Sequence, residues 1–505
     1  MRAHDNTTIL GLDVGTSAVK AVLVDMTQAV LASSSVPLNT TRPKPGWSEQ
    51  TPQLWIAAML EALAALKAIA PKEFAQVRAI GLSGQMHGAV LLDLNRQALR
   101  PAILWNDARA EAECGEMLAA MPDLPMIAGV LPMPGFTAPK LLWAQKHEPG
   151  VFRATKTVLC PKDFVRLHLT GELCTDMSDA AGTLWLNQAR RQWSEPALAA
   201  SGLVAEQMPR LIEGTGFCGE VRRELCLEFG WTPGVLVAGG AGDAAAAAVG
   251  LGAVGDGDAF ISLGTSCQLF ATTAQYRPRP ETLVHAFAHC VPDRWFQMAA
   301  MLNGASCLSW LSSVLQRPDI EGLLAEVQAQ TDGPGELLFL PYLSGERTPH
   351  NDASARGVFF GLSPATTTAD VTRAVLEGVA YSIREAREVL AAAGTGLAEV
   401  GVTGGGTRSK LWLQIISNVT GLRLLRLDGA ELGPAFGAAR LARVALTGEA
   451  VASVCTKPPV TDRILPNAQV AEVYNSTFSR YRSLYAALRP EFRRAAEPSN
   501  SKGPA

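Results

Sequence analysis

A single carboxylate, Asp243, stands in the run AGGAGDAAAAAVG at 238–250, among residues that can do no chemistry of their own. Small neighbours let a second molecule come close, and an acid so placed can take a proton from a hydroxyl. The same place at a helix start also suits an N-cap, so the spacing alone leaves both readings open. Two further stretches share a tip, DVGTS at 13–17 and LGTS at 263–266. A Gly-Thr-Ser tip offers N–H groups and hydroxyls without a bulky side chain in the way, which is what phosphate oxygens require. Either copy alone fits an ordinary hairpin turn; two copies in corresponding places favour phosphate. Asp13 sets a carboxylate beside the first loop, where a Mg²⁺ accompanying phosphates finds an oxygen ligand through water.

Other motifs divide by context. TGGGTRSKLWLQIISNVTG at 403–421 puts three glycines between an apolar strand and an amphipathic helix, where backbone can approach an anion. A tight strand-to-helix turn is the lesser alternative, and no Gly-Lys-Ser/Thr follows as in a Walker loop. GLGAVG at 250–255 fits GxGxxG but follows a helix and leads into a strand, which excludes a dinucleotide site. GQMHG at 84–88 and ILWNDAR at 103–109 bring polar and aromatic groups into short loops suited to a small polar ligand. His285 and His289 lie in LVHAFAHCV, which alternates like a strand and separates them by about 13 Å, too far for one metal ion.

The elements that must position these groups follow from periodicity. ILGLDVGTSAVKAVLVD reads as two strands around a Gly-bearing tip, AVLASSSVPL as a third, and PQLWIAAMLEALAALKAIA as a helix. AFISLGTSCQLFATT replays the opening, and the order of strands and helices after it repeats. A duplicated α/β domain with a cleft between its copies is expected, one copy over 7–250 and the other over 251–488. The polar, Pro-containing tail from 489 to 505 is expected to be frayed or disordered.

The 505 residues exceed one ordinary core, and 48% hydrophobic with 18% charged residues describes a globular chain. A net charge of -3 gives no reason to expect nucleic acid. Nine scattered cysteines without a CxxC pair suggest reduced thiols. The opening MRAHDNTTIL lacks the apolar core of a secretory signal, and no uninterrupted apolar run reaches the roughly 18 residues of a membrane span. A cytoplasmic protein with no membrane partner is expected.

From ILGLDVGTS to about residue 485 the chain resembles the FGGY carbohydrate kinases, and among them most the xylulokinases. GVFFGLSPATTTADVTRAVLEG at 357–378 fits the family's C-terminal signature. GQMHG, ILWNDAR, MPGFTAPKLLW, TDMSDAAGT and FLPYLSGERTPHND resemble the xylulokinase motifs. The resemblance implies two ribonuclease-H-like domains of the actin, Hsp70 and hexokinase type, with ATP and sugar meeting in the interdomain cleft. It implies ATP-dependent phosphorylation of D-xylulose at its 5-hydroxyl, with Asp243 as catalytic base and Asp13 organising Mg²⁺ and the phosphates. Met86 and His87 match the substrate-contacting pair, and Trp105 lines the sugar pocket. Thr16 and Ser17 belong to the first phosphate loop, Gly264 and Thr265 to the second, and Gly405 and Gly406 match the nucleotide-binding glycines. A homodimer is plausible for the family. One departure bears on substrate: xylulokinases commonly carry Asn after the catalytic Asp, and here that residue is Ala244. A sugar hydroxyl left without that partner costs about 1–3 kcal/mol, so a kinase for ribulose, L-xylulose or an alditol stays as the alternative. A chaperone-like ATPase on the same core is the more distant rival, with no need of GQMHG.

Overall fold

The computed structural model describes residues 6–330, 333–429 and 432–496. Its first sheet grows from β1 (Thr8–Val14), all seven residues of which are buried. A run apolar on both faces belongs in the middle of a sheet, covered above and below. β1 is antiparallel to β2 (Ala18–Asp25), which is antiparallel to β3 (Val30–Pro37). On its other side β1 runs parallel to β4 (Val77–Gly84), which has β6 (Leu236–Ala238) and the short β7 (Ala241–Gly242) as parallel partners. β5 (Phe217–Glu220) closes that edge, antiparallel to β6.

The second sheet repeats the plan. β8 (Ala259–Leu263) is antiparallel to β9 (Cys267–Thr273), which pairs antiparallel with β11 (Trp295–Met301), and β10 (His285–Ala288) adds an outer strand. Parallel to β8 lies β12 (Glu399–Thr403), then parallel β13 (Arg423–Leu427), and antiparallel β14 (Val460–Ile464) at the edge. Three antiparallel strands, two parallel ones and an antiparallel edge thus occur twice in the same spatial order. This is the duplicated α/β architecture expected.

Two seams join the halves. Helix α5 (Gly433–Thr447), from late in the chain, lies flat on the first sheet, while α3 (Thr368–Ala392) and α4 (Lys410–Thr420) pack on each other in the second half. A Cβ on Gly11 or Gly81 would fall 1.9 Å from a carbonyl oxygen of Ala435 or Ala438, so only glycine permits that approach. The alanine-rich α2 (Asp243–Gly250) crosses α5 as closely: a Cβ on Gly437 would fall 1.8 Å from the Ala246 carbonyl oxygen. The second seam is β10, where Ala286 N donates to Gly129 O at 2.9 Å and Ala288 N to Gln188 Oε1 at 2.8 Å.

Two expectations need correcting, and one helix bears on a third. Helix α1 (Pro52–Ile69) is long and apolar enough to cross a membrane by length and composition. Yet Trp55, Met59, Leu63 and Leu66 are 0% exposed and the helix packs on β2 and β3. Each such side chain contributes about 1.5–3 kcal/mol, so α1 is a core helix of the first half. The tail is not frayed from residue 489: helix α6 (Ala468–Ala496) continues through Pro490, anchored by buried Phe492 against Tyr485. Residues 497–505 lie outside the described residues. The cysteines are not all thiols either, since Cys174 and Cys218 form a disulfide while seven others are free and buried. Parallel pairing of 174–176 with 210–212 carries the chain past Cys174 twice, which brings Cys218 within reach.

Candidate active site

Asp243 opens α2 at a cavity of about 320 Å³ lined by both halves. The chain before it is held from beneath. β7 pairs with β4, Gly242 N donates to Ser178 Oγ at 3.0 Å, and Ser178 Oγ donates to Asp176 Oδ2 at 2.5 Å. Arg166 donates to the Gly239 carbonyl and, at 2.7 Å each, to Asp163 Oδ1 and Cys174 O. Lys162 Nζ sits 2.7, 2.8 and 3.1 Å from Asp163, Asp176 and Asp179. Cys160, Asp163 and Asp179 are spaced as metal ligands, but the Lys162 ammonium already supplies the cation there. All of these charges are buried, so removing one leaves others unpaired at a cost of about 3–5 kcal/mol. The result is a rigid base under Gly239–Asp243.

One Asp243 oxygen, Oδ1, accepts from Ala244 N at 2.8 Å, and the carboxylate lines the cavity. Burial, followed by the charge of Asp13, pushes its pKa up to about 7. A carboxylate at that value can exist as base near neutrality and hold a proton once it has taken one. Asp13 is the last residue but one of the buried strand β1, and burial raises it to about 6 against the lowering pull of Lys20. Its Oδ1 is buried with no partner among the described residues.

The first loop differs from expectation in how Thr16 is used. Trp105 Nε1 donates to Thr16 Oγ1 at 2.9 Å, and Thr16 Oγ1 donates to Gln85 Oε1 at 2.9 Å. Gln85 Nε2 reaches Gln50 Oε1 at 3.0 Å, Gln50 Nε2 holds Thr16 O at 2.7 Å, and Trp55 Nε1 caps Gln50 Oε1 at 2.9 Å. Thr16 and Trp105 line the cavity, but the threonine proton is spent inside the protein. Ser17 is exposed and does not line that cavity.

Met86 and His87 reach the cavity from the turn after β4. His87 adopts φ 68°, and its carbonyl accepts from Lys140 Nζ at 2.8 Å and Thr137 Oγ1 at 3.1 Å. Burial lowers its ring to about 3, so the imidazole is neutral. With Nδ1 at 2.7 Å from the Gly182 carbonyl, Nδ1 carries the hydrogen and Nε2 remains an acceptor. A Cβ on Gly182 would fall 2.5 Å from that ring, and one on Gly242 would fall 2.7 Å from Met86 Cγ. Both glycines make room for the pair.

In the second loop Thr265 is exposed at the cavity, and its hydroxyl has no partner among the described residues. Its carbonyl accepts from Gly304 N at 3.1 Å and Ser306 Oγ at 2.7 Å. A Cβ on Gly404 would fall 3.0 Å from Gly264 N, so the glycine turn abuts the loop. Beyond it opens a second cavity of about 640 Å³, lined by Gly404, Gly405, Arg408, Asp428 and Gly433 among others. Gly405 faces it openly, whereas Gly406 is buried against the Leu263 side chain. Sequence reasoning missed Gln268, His285 and Arg347 as cavity residues; His285 was considered only as a metal ligand with His289.

The chain matches the profile of the FGGY family of carbohydrate kinases, N-terminal domain, over residues 8–250, and that of the C-terminal domain over 259–446. A xylulose kinase of Escherichia coli is 44% identical over 483 residues, covering 95% of this chain and 99% of that protein. The crystal structure of a "xyloylose kinase" from Brucella ovis is similar at a TM-score of 0.93 and 46% identity, with 96% and 99% coverage. That of a gluconate kinase from Lactobacillus acidophilus reaches a TM-score of 0.91 at 26% identity, with 97% and 100% coverage.

Proposed function

Since this chain belongs to the FGGY family of carbohydrate kinases, and ATP is the phosphoryl donor of such a kinase, we propose that it phosphorylates D-xylulose at the 5-hydroxyl, giving D-xylulose 5-phosphate and ADP. The observation that carries the proposal is Asp243, raised to about 7, lining one cavity with Met86, His87 and Thr265. The Asp243 carboxylate accepts the hydroxyl proton as the sugar oxygen attacks the γ-phosphorus. The P–O bond to ADP breaks, and the proton leaves on Asp243 to be released to water. Phosphoryl transfer asks the protein mainly for alignment and charge stabilisation. Met86 and His87 orient the sugar, the His87 Nε2 lone pair accepting from a sugar hydroxyl. Trp105 closes the wall beside them, while Gly264 and Thr265 offer N–H and O–H donors to the phosphates.

The rest of the nucleotide occupies the second cavity along Gly405, with Gly406 holding the turn against the loop. Thr16 and Ser17 serve the phosphates through the backbone of their loop. Mg²⁺ fits this site because Asp13 Oδ1 is a buried carboxylate oxygen beside that loop with no hydrogen-bond partner among the described residues. Asp13 would hold it through water, and when bound it neutralises charge on the phosphates. The same proposal divides the labour near residue 250, sugar and first phosphate loop before it and nucleotide after it.

A second reading, a kinase for another ketose or a polyol, is favoured by Ala244, whose methyl lines the cavity where an amide would offer a hydrogen bond. A coupled ADP-release assay over pentuloses, pentitols and aldonates, with product identification, decides between them. D-xylulose should give the highest kcat/KM; a better substrate in the panel would displace it. A cytoplasmic location and a homodimer belong to the proposal too, and sedimentation velocity tests the latter.

A further inference from the structure

Arg347 differs from the paired arginines packed into this fold. Arg109 is paired with Glu49 and Asp107 at 2.7 Å each, and Arg440 donates to Gln28 Oε1 at 2.7 Å and Val249 O at 3.0 Å. Arg347 lines the cavity, and its guanidinium has neither a hydrogen-bond acceptor nor an ion pair among the described residues. It is held in place nonetheless. Glu346, 2% exposed, accepts from Leu302 N at 2.7 Å and Arg347 N at 2.8 Å, while Asn303 Nδ2 donates to Gly345 O at 2.8 Å. Thr348, fully buried, pairs through its backbone N with Ala300 O at 3.2 Å.

A second unsatisfied group lies beside it. His285 is 1% exposed, lines the same cavity, and both its ring nitrogens are buried without a partner among the described residues. Its ring lies 5.7 Å from that of Phe136, which in turn meets the His87 ring at 4.5 Å. Burial keeps the His285 and His87 imidazoles neutral and the charge of Arg347 adds to that, whereas Asp243, also raised by burial, feels the carboxylate of Asp13. The cavity therefore has two poles, an acidic one where the proton is taken and a cationic one at Arg347 and His285. Polar groups enclosed and unpaired at this level are costly unless a ligand satisfies them.

Sugar chemistry identifies that ligand, given the reading that O5 of D-xylulose is phosphorylated. In the ring form O5 is the ring oxygen, so a free 5-hydroxyl exists only in the open-chain ketone. With that hydroxyl at Asp243, the far end carries a C2 carbonyl, which only accepts, and a C1 hydroxyl, which donates and accepts. A guanidinium only donates, and a neutral imidazole does both. We infer that Arg347 and His285 form the subsite for the C1–C2 hydroxyketone end of an open-chain ketose, Arg347 on the carbonyl oxygen and His285 on the C1 hydroxyl.

The test compares D-xylulose with xylitol and D-arabinitol, the alcohols made by reducing that carbonyl, each as substrate or competitive inhibitor. In Arg347→Met, KM for D-xylulose should rise about tenfold to a hundredfold, as for a lost hydrogen bond to a charged group. Binding of the two alcohols should change far less, so the preference for ketose collapses; KM for ATP should stay near its starting value. Arg347→Lys, which keeps one charged donor, should recover part of the loss. His285→Phe, which keeps the ring contact with Phe136, should raise KM for D-xylulose by a smaller factor. Equal losses for ketose and alcohols would overturn the carbonyl assignment, and a rise confined to KM for ATP would move Arg347 to the phosphates. Should Arg347→Met fail to fold, unchanged ketose preference in both Arg347→Lys and His285→Phe overturns the inference. Failure of the wild-type protein to phosphorylate any pentulose strikes the proposed function itself, whereas normal wild-type turnover with unaltered variants strikes only this subsite.

Discussion

The two GTS loops sit on equivalent hairpins and do different work. In the first sheet Asp13 pairs across β2 with Lys20 and beside β4 with Ser83; in the second Ser262 pairs with Gln268 and Thr403. Asp13 and Ser262 are thus the same position, one an acid with an unpartnered buried oxygen and the other a neutral hydroxyl. The threonines differ in the opposite sense. Thr16 spends its proton on Gln85 and is capped by Trp105, whereas the Thr265 hydroxyl, at the cavity, has no partner among the described residues. The shared letters mark a hairpin tip, and the chemistry lies in what surrounds each copy: charge and rigidity in the first, open donors in the second.

Both loops converge on Asp243, and removing it should break the site regardless of either. Asp243→Ala should lower sugar-dependent turnover about a thousandfold or more, while ATP still binds as read by fluorescence or calorimetry. Retained turnover would remove the base from the mechanism. Next in size, Asp13→Ser makes the first loop resemble the second. ADP release should fall roughly a hundredfold, with a shifted Mg²⁺ dependence. A variant with wild-type Mg²⁺ response would mean that the acid does not distinguish the loops.

What the sequence disclosed follows the same division. The hairpins were legible because a glycine tip between alternating apolar runs has few other solutions, and the duplicated order of elements announced two sheets. Asp243 was legible because its neighbours are all small. Arg347 and His285 were not assigned a role, although FLPYLSGERTPHND and LVHAFAHCV were both singled out, since each reaches the cavity from the second half and only the β10–β11 pairing and the Glu346 anchor bring them there. The lock on Thr16 was hidden because Gln50, Gln85 and Trp105 are scattered over some fifty residues of sequence. Cys174 and Cys218, 44 residues apart, looked unrelated for the same reason. The continuation of α6 past Pro490 depends on one buried ring, Phe492, which composition averages away in a polar tail.

The smaller effects sharpen the comparison because the two threonines should fail in different ways. Thr265→Val removes a free donor and no internal bond. KM for ATP should rise by up to about tenfold with little change in melting temperature. Thr16→Val instead removes the acceptor of Trp105 Nε1 and the donor to Gln85 Oε1, leaving both without their partner. Stability should drop by about 1–2 kcal/mol in denaturant titration, the cost of unpaired polar groups. KM for ATP should rise less than in Thr265→Val, since no donor to the phosphates is lost, and whatever rise occurs comes from loosening of the loop. Gln85→Leu cuts the same chain one step further on and should reproduce that pattern. If Thr16→Val instead raised KM for ATP as much as Thr265→Val with no loss of stability, the two hydroxyls would be doing the same job, and the difference between the loops would reduce to Asp13 alone.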